Sequence, residues 1–289
     1  MTKPALDPRR YPYRADLAAQ SLRGKVAAPR YVAGEVCQVV HATAPLWTRP
    51  DPRDGWATQV LFGELVTVYE EQDGWAWVQA AHDGYVGYVR ARGLSPQVKP
   101  ATHHVRVPGT FLYAAPDAKA LTGLHLSMNA RLSVADTSAT FSKLADGSFV
   151  PTRHIAEVGK FAPDFVAVAE RFLGTPYVWG GKTRLGLDCS GLVQVALHAA
   201  GLDCPRDSDM QMAELGTPVE VRSDLDRLER GDLVFWKGHV GIVTDAFMLL
   251  HANACHMAVA SEPLRGAMDR IARSGATIAA IKRIARKAA

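Results

Sequence analysis

Three residues far apart in the chain have side chains that could together carry out acyl transfer: Cys189, His239 and His251. Cys189 begins a helix predicted over residues 189–200. A thiol at a helix N-terminus faces unpaired N–H groups and the positive end of the helix dipole, which favours the thiolate. A nucleophilic thiol needs a base beside it, and histidine titrates closest to neutral pH. The pattern therefore predicts a cysteine nucleophile with His239 as its base.

The β-branched and apolar runs predict strands at 240–244 and 248–252; His239 directly precedes the first strand, after the Lys237-Gly238 turn, and His251 lies on the second. If the hairpin between these strands is centred on Asp245, His239 and His251 stand directly opposite each other. Their Cβ atoms would then be roughly 4.5–5.5 Å apart on one face of the sheet. This geometry predicts that His251 orients and polarises His239.

A zinc site is the competing interpretation of the same residues, with Cys255 and His256 added as ligands. The sequence contains no CxxC pair and no HxxxH pair, which are the short chelating spacings typical of zinc sites. We therefore expect no metal and no cofactor. The four cysteines are widely spaced, and free thiols are expected rather than disulfides.

The composition excludes several classes of partner. The chain of 289 residues contains 33 Lys and Arg against 29 Asp and Glu, a net charge of only +4. A nucleic-acid partner is not expected, because the one basic cluster is the short C-terminal segment 282–287. No apolar run approaches the roughly 20 residues of a membrane span, and the N-terminus has no apolar stretch of secretory length. We expect no membrane partner and a cytoplasmic protein; the oligomeric state stays open.

The elements that must position these side chains divide the chain into four predicted parts. Residues 1–29 form a polar segment with a short helix over Arg14–Arg23, because Ala, Leu, Gln and Arg favour helix there. Residues 30–98 contain short β-branched and aromatic runs separated by Asp-Gly turns, which is typical of a small β-barrel. Residues 99–156 are predicted to form a second barrel, and residues 157–289 the domain that carries the chemistry.

A weak internal repeat supports the second barrel. Leu46-Trp47-x-x-Pro50-Asp51 reappears 66 residues later as Leu112-Tyr113-x-x-Pro116-Asp117, and Val66-Thr67-Val68 meets Leu132-Ser133-Val134 at the same offset. Two tandem copies explain this spacing. Chance similarity between two all-β stretches is the alternative.

The C-terminal part changes from helical to strand periodicity, which is typical of an α+β domain. Helices are predicted at 162–172 and 189–200. Strands follow at 232–236, 240–244, 248–252, 257–261 and 277–284.

Several separate motifs in this part resemble the NlpC/P60 family of papain-like cell-wall cysteine peptidases. They are, in order, Gly174-Thr175-Pro176-Tyr177-Val178-Trp179-Gly180-Gly181, Asp188-Cys189-Ser190-Gly191-Leu192-Val193, Arg206-Asp207-Ser208-x-x-Gln211, Gly231-Asp232-Leu233-Val234-Phe235 and His239-Val240-Gly241-Ile242-Val243. The resemblance implies a papain-like domain acting on peptidoglycan peptides, with Cys189 as nucleophile, His239 as base and His251 as third member. It also implies that the Tyr177 hydroxyl lies at the oxyanion hole.

The predicted barrels resemble one branch of that family, which carries two SH3-like domains before the catalytic domain. That branch cleaves the γ-D-glutamyl-diamino acid bond of freed muropeptides whose N-terminal L-alanine is unblocked. The resemblance implies the substrate L-Ala-γ-D-Glu-diamino acid, a role in cell-wall recycling, and a set of substrate-binding residues: Tyr85, Asp207, Ser208, Asp188, Ser190 and Glu64. A carboxylate such as Asp207 suits an ammonium group.

Simpler roles stay open for three of these residues. Asp207 could cap a helix that starts near Ser208, Tyr85 could belong to a barrel core, and Glu64 could be a solvated turn residue. For the whole chain, the alternatives are an amidase or acyltransferase on the same fold, or a peptidoglycan-binding protein without hydrolysis.

Overall fold

The structure is a computed structural model that describes residues 6–220 and 227–285. The chain divides into two compact units, Met1–Val158 and Gly159–Ala289. The first unit is built of short strands, and the second combines strands with helices. Each unit is described in turn.

The described part of the first unit contains strands β1 to β17, joined in places by single turns of 3₁₀ helix. The strands are β1 Leu17–Ala19, β2 Arg30–Val32, β3 Glu35–Val39, β4 Thr43–Leu46, β5 Thr58–Leu61, β6 Leu65–Gln72, β7 Trp75–Ala80, β8 Val86–Arg90, β9 Leu94–Ser95, β10 His103–Val105, β11 Gly109–Tyr113, β12 Thr122–Ser127, β13 Arg131–Leu132, β14 Val134–Thr137, β15 Phe141–Leu144, β16 Phe149–Pro151 and β17 Ile155–Glu157.

Strands β3 to β9 form what we call the first copy, and β10 to β17 the second copy. In the first copy β3 pairs with β6 and β9, β6 with β7, β7 with β8, and β4 with β5. The second copy repeats this pattern: β10 pairs with β13 and β17, β14 with β15, β15 with β16, and β11 with β12. The pairings correspond when β13 and β14 together take the place of β6, although strands β10 to β17 are divided between two sheets.

The turn between β6 and β7 shows how local sequence determines these hairpins. Asp73 and Gly74 both have positive φ, 53° and 74°. A two-residue hairpin turn of this type needs that conformation at both positions, and Asp-Gly adopts it readily. The Asp-Gly signal in the sequence is confirmed here.

The two copies share apolar packing. Leu61, the last residue of β5 in the first copy, is fully buried among Val105, Leu112 and Leu126 of the second copy. The backbone N–H of Arg131 also donates to the Phe62 carbonyl at 2.8 Å. The first copy thus contributes a side chain and a backbone hydrogen bond to the interior of the second.

The helix predicted over Arg14–Arg23 is wrong. Leu17–Ala19 form β1, which pairs in parallel with β2, and Gln20–Leu22 form one 3₁₀ turn. All three residues of β1 are buried. Burial and strand pairing have outweighed a local helix preference that rests mainly on Ala and Leu.

The described part of the second unit contains four helices and eight strands. The helices are α1 Phe165–Glu170, α2 Cys189–Ala199, α3 Ser208–Glu214 and α4 Leu264–Ala272. The strands are β18 Lys182–Thr183, β19 Gly186–Leu187, β20 Thr217–Val219, β21 Asp232–Trp236, β22 His239–Val243, β23 Met248–Asn253, β24 Ala258–Pro263 and β25 Ile278–Arg283. The predicted strands of this region are confirmed to within two residues.

Six of these strands form one antiparallel sheet in the order β20-β25-β21-β22-β23-β24. Helix α2 packs against β22 and β23 at the centre of the sheet, and α1 packs on α2. The predicted α+β class, with helices packed on an antiparallel sheet, is confirmed. The packing brings the start of α2 to the two strands that carry the histidines.

Candidate active site

Cys189 is the first residue of α2 and is 8% exposed. The helix starts there because the Asp188 side chain caps it, accepting the Gly191 N–H at 2.7 Å. A Cβ on Gly191 would lie 2.2 Å from the Gly181 carbonyl oxygen, so only glycine fits this close approach. The sequence Asp-Cys-Ser-Gly therefore fixes the position of the thiol through a cap and a tight backbone contact.

His239 and His251 form a direct hydrogen bond, with His239 Nε2 and His251 Nδ1 2.8 Å apart. The predicted register, however, is wrong by two residues. Ile242 pairs with Leu250, so the hairpin is not centred on Asp245 and the histidines are diagonal neighbours rather than directly opposed. A shift of two residues keeps both side chains on the same face, and their ring centroids are 5.0 Å apart.

The Cys189 sulfur lies beside the strand that begins with His239, because it accepts a hydrogen bond from the backbone N–H of Val240. Nε2 of His239 is engaged with His251. Nδ1 is therefore the ring nitrogen of His239 that can serve the thiol. The structure thus places the sulfur of Cys189 beside the first residues of the strand that carries His239, and joins His239 to His251.

The expected lowering of the Cys189 pKa is wrong. Burial, with the Asp188 carboxylate beside it, raises the pKa of the Cys189 thiol to about 12. The amide N–H groups of Val240 and Ser190 act in the opposite direction but are outweighed. Burial, with His251 nearby, also lowers the pKa of His239 to about 3. Near neutral pH the resting pair is therefore a neutral thiol and a neutral imidazole.

This neutral pair predicts how the free enzyme reacts with iodoacetamide. Only the thiolate is alkylated, so below its pKa the rate for Cys189 should rise by about tenfold per pH unit. We expect that rise to continue from about pH 6 to pH 9, measured by mass spectrometry of the Cys189 peptide. A rate that levels off below about pH 7 would instead show a preformed thiolate–imidazolium pair.

Tyr177 lies on the loop before α2 and is half-buried. Its backbone N–H donates to the Met257 carbonyl at 2.9 Å, which ties the loop to the turn after β23. Burial, with Cys189 and Asp188 close by, raises the pKa of Tyr177 to about 12. The hydroxyl therefore keeps its proton at neutral pH and can act as a hydrogen-bond donor near the sulfur.

Asp188 and Ser190, predicted to bind substrate, belong to a buried polar network around α2. Asp188 accepts the Gly180 N–H at 2.8 Å and pairs with Arg206 at 2.7 Å. Arg206 is 1% exposed and also donates to Ser190 Oγ at 2.8 Å. These contacts hold the segment that carries Cys189, and they occupy the polar atoms of both residues with protein partners.

Asp207 and Ser208 lie at the start of α3 and are partly exposed. Asp207 occupies the N-cap position, yet its side chain makes no capping hydrogen bond with the helix. The simpler role left open by the sequence, a helix cap, is therefore not what this carboxylate does.

Tyr85 and Glu64 lie in the first unit. Tyr85 is 4% exposed and belongs to the apolar core of the first copy. Glu64 is buried, not solvated, and its carboxylate accepts the Leu61 N–H at 2.7 Å. Their predicted role in binding substrate stays a prediction.

The sequence reasoning missed two charged residues behind His251. Glu262 on β24 has its Oε1 2.8 Å from His251 Nε2, and the same oxygen accepts a hydrogen bond from Arg270 on α4. A helical spacing of apolar residues predicts the helix on which Arg270 lies, and this is the signal that could have located it. The apolar residues are Leu264, Ala267, Met268 and Ile271.

Within residues 6–220 and 227–285, no group of three or more His, Cys, Asp or Glu side chains is arranged to hold a metal ion. Over the same residues, no helix has both the length and the apolar character needed to cross a membrane. The four cysteines are free thiols, and of these Cys255 is exposed.

Comparison with known families matches two parts of the chain. Residues 174–271 match the NlpC/P60 family, and residues 46–94 match the bacterial dipeptidyl-peptidase Sh3 domain. The second match lies within the first copy, from the last residue of β4 to the first residue of β9. A second SH3-like domain over residues 99–156 stays a prediction.

Two curated relatives are similar over most of their length. The γ-D-glutamyl-L-lysine dipeptidyl-peptidase of Bacillus subtilis (strain 168) is 30% identical over 217 residues, which cover 68% of this chain and 71% of that protein. Dipeptidyl-peptidase 6 of Lysinibacillus sphaericus is 27% identical over 239 residues, covering 74% and 86%.

A solved structure shares the fold. The crystal structure of an NlpC/P60 family protein from Bacillus cereus ATCC 10987 superposes with a TM-score of 0.72 at 22% identity, covering 86% of this chain and 99% of that one. At this identity the likeness concerns the fold alone. The relative from Bacillus subtilis and the match over 174–271 show that the chain belongs to the NlpC/P60 family of cysteine peptidases.

Proposed function

We propose that the protein hydrolyses the γ-D-glutamyl-diamino acid bond of murein peptides whose N-terminal L-alanine is free. The name of the Bacillus subtilis relative, a γ-D-glutamyl-L-lysine dipeptidyl-peptidase, supports this bond and this class of substrate. In the intact wall the L-alanine nitrogen is in amide linkage, so a free amine arises only once the peptide has been released. The proposed role is therefore in the recycling of released peptides.

The observation that carries the proposal is the hydrogen bond between His239 and His251 beside the thiol of Cys189. It gives the base a fixed ring orientation, with one nitrogen left for the nucleophile. A nucleophile, a base and a residue that orients the base are what covalent acyl transfer requires. A purely structural cysteine would not require a neighbouring histidine whose ring is oriented by a second histidine.

In the proposed acylation step, the S–H proton of Cys189 passes to Nδ1 of His239 as the sulfur attacks the γ-carbonyl carbon of D-glutamate. Because thiol and imidazole are both neutral at rest, this transfer accompanies attack on the bound peptide. The Cys189 N–H and the Tyr177 hydroxyl hold the oxyanion. Collapse breaks the C–N bond, and the amine of the diamino acid leaves with the proton from His239.

In the proposed deacylation step, water attacks the thioester between Cys189 and the γ-carboxyl group of L-Ala-D-Glu. His239 takes a proton from the water, and the expelled sulfur receives it as the dipeptide is released. The products are L-Ala-D-Glu and a peptide or amino acid that begins with the diamino acid. The enzyme returns to its neutral resting pair.

Tyr177→Phe tests the oxyanion role. Losing one oxyanion donor typically raises the barrier by roughly 2.7–4 kcal/mol, so we expect kcat to fall by about 10²- to 10³-fold. KM should change little, because the contact strengthens only as the oxyanion forms. Tyr113→Phe, a half-buried tyrosine of the first unit, is the matched control and should keep full activity. Equal kcat in both variants would remove Tyr177 from this role.

Asp207 is the residue we propose to pair with the peptide's ammonium group. It is partly exposed, and its carboxylate does not cap α3. A hydrogen bond to a charged group contributes about 1.5–3 kcal/mol, so Asp207→Asn should lower kcat/KM for the free peptide by about 10- to 10²-fold. Asp203→Asn, at an exposed position nearby, is the control and should have no effect.

The test of the whole proposal compares L-Ala-γ-D-Glu-L-Lys, the corresponding diaminopimelate peptide and their N-acetylated forms. Mass spectrometry of the products identifies the bond that breaks. Cleavage of free peptides to L-Ala-D-Glu, with the acetylated forms intact, is the expected result. Equal cleavage of both forms would overturn the ammonium requirement. Cleavage of neither would favour another amide or ester substrate, as in an amidase or acyltransferase.

A further inference from the structure

Two charged side chains continue the hydrogen-bond chain of the active site beyond His251. Glu262 lies on β24, where Leu249 pairs with Glu262 and His251 pairs with Ala260. Glu262 is therefore two residues along from His251 on the same face of the sheet. The spacing of Oε1 to His251 Nε2 is 2.8 Å, and Arg270 of α4 donates to the same oxygen.

The positions of the hydrogens along this series of hydrogen bonds follow from Arg270, the donor at its outer end. A guanidinium group only donates, so Glu262 Oε1 acts as an acceptor. Nε2 of His251 must then carry the hydrogen it donates to that oxygen. In a neutral His251 the other nitrogen, Nδ1, is bare and must accept from Nε2–H of His239. A neutral His239 is left with a bare Nδ1.

We propose that Glu262, held by Arg270, is a positioning residue that sets the tautomer of both histidines and so leaves Nδ1 of His239 able to take the proton of Cys189. The inference rests on the proposed roles of Cys189, His239 and His251. In this inference Glu262 and Arg270 act on the reaction through His251 and His239. Without a carboxylate at this place, either ring could adopt the other tautomer, in which Nδ1 of His239 is blocked by its own hydrogen.

The charge balance around His251 explains why the carboxylate comes with an arginine. The charged or titratable groups that act on His251 are His239 on β22, Glu262 on β24, Arg270 on α4 and His256 in the turn after β23. Burial lowers the pKa of His251, Glu262 acts to raise it, and Arg270 and His256 act to lower it. The Glu262–Arg270 pair therefore supplies an acceptor without adding net charge that would protonate His251.

The first test reads the tautomers directly. Protonated and bare imidazole nitrogens have widely separated ¹⁵N chemical shifts, so long-range ¹H–¹⁵N spectra of the full chain report the state of each ring. Spectra of His239→Gln and His251→Gln assign the signals. We expect hydrogen on Nε2 and a bare Nδ1 in both rings of the wild type and of Glu262→Gln, whose amide oxygen still accepts. In Glu262→Ala the charged group left near Nε2 of His251 is Arg270, which only donates, so we expect hydrogen on Nδ1 of both rings to predominate.

The second test separates kcat from KM. Glu262→Ala should lower kcat by about 10²-fold or more, since a base in the wrong tautomer loses most of its activity in acyl transfer. The kcat of Glu262→Gln should be at least about tenfold higher than that of Glu262→Ala. The KM of both variants should stay within about twofold of the wild-type value. The control is Glu229→Gln, which breaks a surface pair with Arg283 in the same unit. It should leave kcat and KM unchanged.

The third test uses the sign of a pH shift. In Arg270→Gln the carboxylate of Glu262 loses its partner, so His251 takes up a proton at higher pH and becomes a donor at Nδ1. The acid limb of kcat/KM should therefore move to higher pH than in the wild type. In Glu262→Gln the unpaired Arg270 opposes protonation, and the limb should not move upward. If the pair were merely structural, both variants would lose activity, and the acid limb of Arg270→Gln would not move to higher pH.

The outcomes distinguish this inference from the proposed function. The ¹⁵N spectra need no substrate, so they decide the tautomer even if the murein peptides are not cleaved. Wild-type spectra with hydrogen on Nδ1 of His239 would overturn the inference whatever the substrate is. So would wild-type tautomers and an unchanged kcat in Glu262→Ala.

Discussion

Cys189→Ala is expected to abolish peptide cleavage while leaving the second unit folded. Removing the nucleophile of an acyl-transfer enzyme typically costs about 10⁴- to 10⁶-fold in kcat, because the triad residues act as a unit. Alanine suits the first turn of a helix, and the Asp188 cap does not depend on the sulfur. Mass spectrometry of the products from L-Ala-γ-D-Glu-L-Lys measures the loss.

The control for this variant is Cys255→Ala, which removes the exposed cysteine of the second unit. It should cleave at the wild-type rate. The Cys189→Ala protein should still bind the tripeptide in a calorimeter, because the sulfur contributes little to ground-state binding. Retention of more than about 1% of wild-type kcat would place the nucleophile elsewhere.

Arg206→Met is expected to give the largest loss of stability, about 3–5 kcal/mol in the free energy of unfolding of the second unit. Removing one partner of a buried ion pair leaves the other charge without compensation. Here that charge is Asp188, which caps the helix of the nucleophile, and Ser190 loses its donor as well. Hydrogen exchange of the α2 amides in increasing urea measures the effect within this unit.

Two further variants decide whether the buried charge is the cause. Arg227 pairs with Glu220 at the surface, at 3.7 Å, and Arg227→Met should cost less than about 1 kcal/mol. Adding Asp188→Asn to Arg206→Met removes the orphaned charge and keeps a good N-cap residue, so part of the stability should return. Equal stability of Arg206→Met and Arg227→Met would refute the expected role of the pair.

The sequence predicted the face of the sheet that carries the histidines but not the register of their hairpin. Alternating apolar residues indicate which side chains share a face, and that information survives a shift of two residues. The turn around Thr244 to Phe247 contains no glycine that fixes a particular turn type, so the pairing was free to move. The rings still meet, because a diagonal neighbour lies within reach of a large side chain.

The thiol pKa could not be predicted because it depends on tertiary burial. The sequence indicates that Cys189 starts a helix, and the structure agrees. It does not indicate that the residue would be only 8% exposed and next to a carboxylate, and burial and this carboxylate both raise the pKa of the thiol. Burial raises the pKa of a thiol and so opposes the effect of the helix N-terminus.

Glu262 and Arg270 were missed for a related reason. Glu262 is on a strand and Arg270 on a helix eight residues later, so no single periodic pattern contains both. Their meeting with His251 depends on how α4 folds back on β24, which local spacing does not encode. At the N-terminus, by contrast, the local signal was present but misleading, since buried strand pairing at Leu17–Ala19 outweighed helix propensity.

The burial of Leu61 of the first copy in the core of the second copy has a consequence for how the two copies unfold. Deletion of residues 99–156 would expose Leu61 to solvent, at a cost of roughly 1.5–3 kcal/mol, and the Phe62 carbonyl would exchange its protein partner for water. We therefore expect strands β3 to β9 and β10 to β17 to unfold as one cooperative unit, and deletion of either set to destabilise the other.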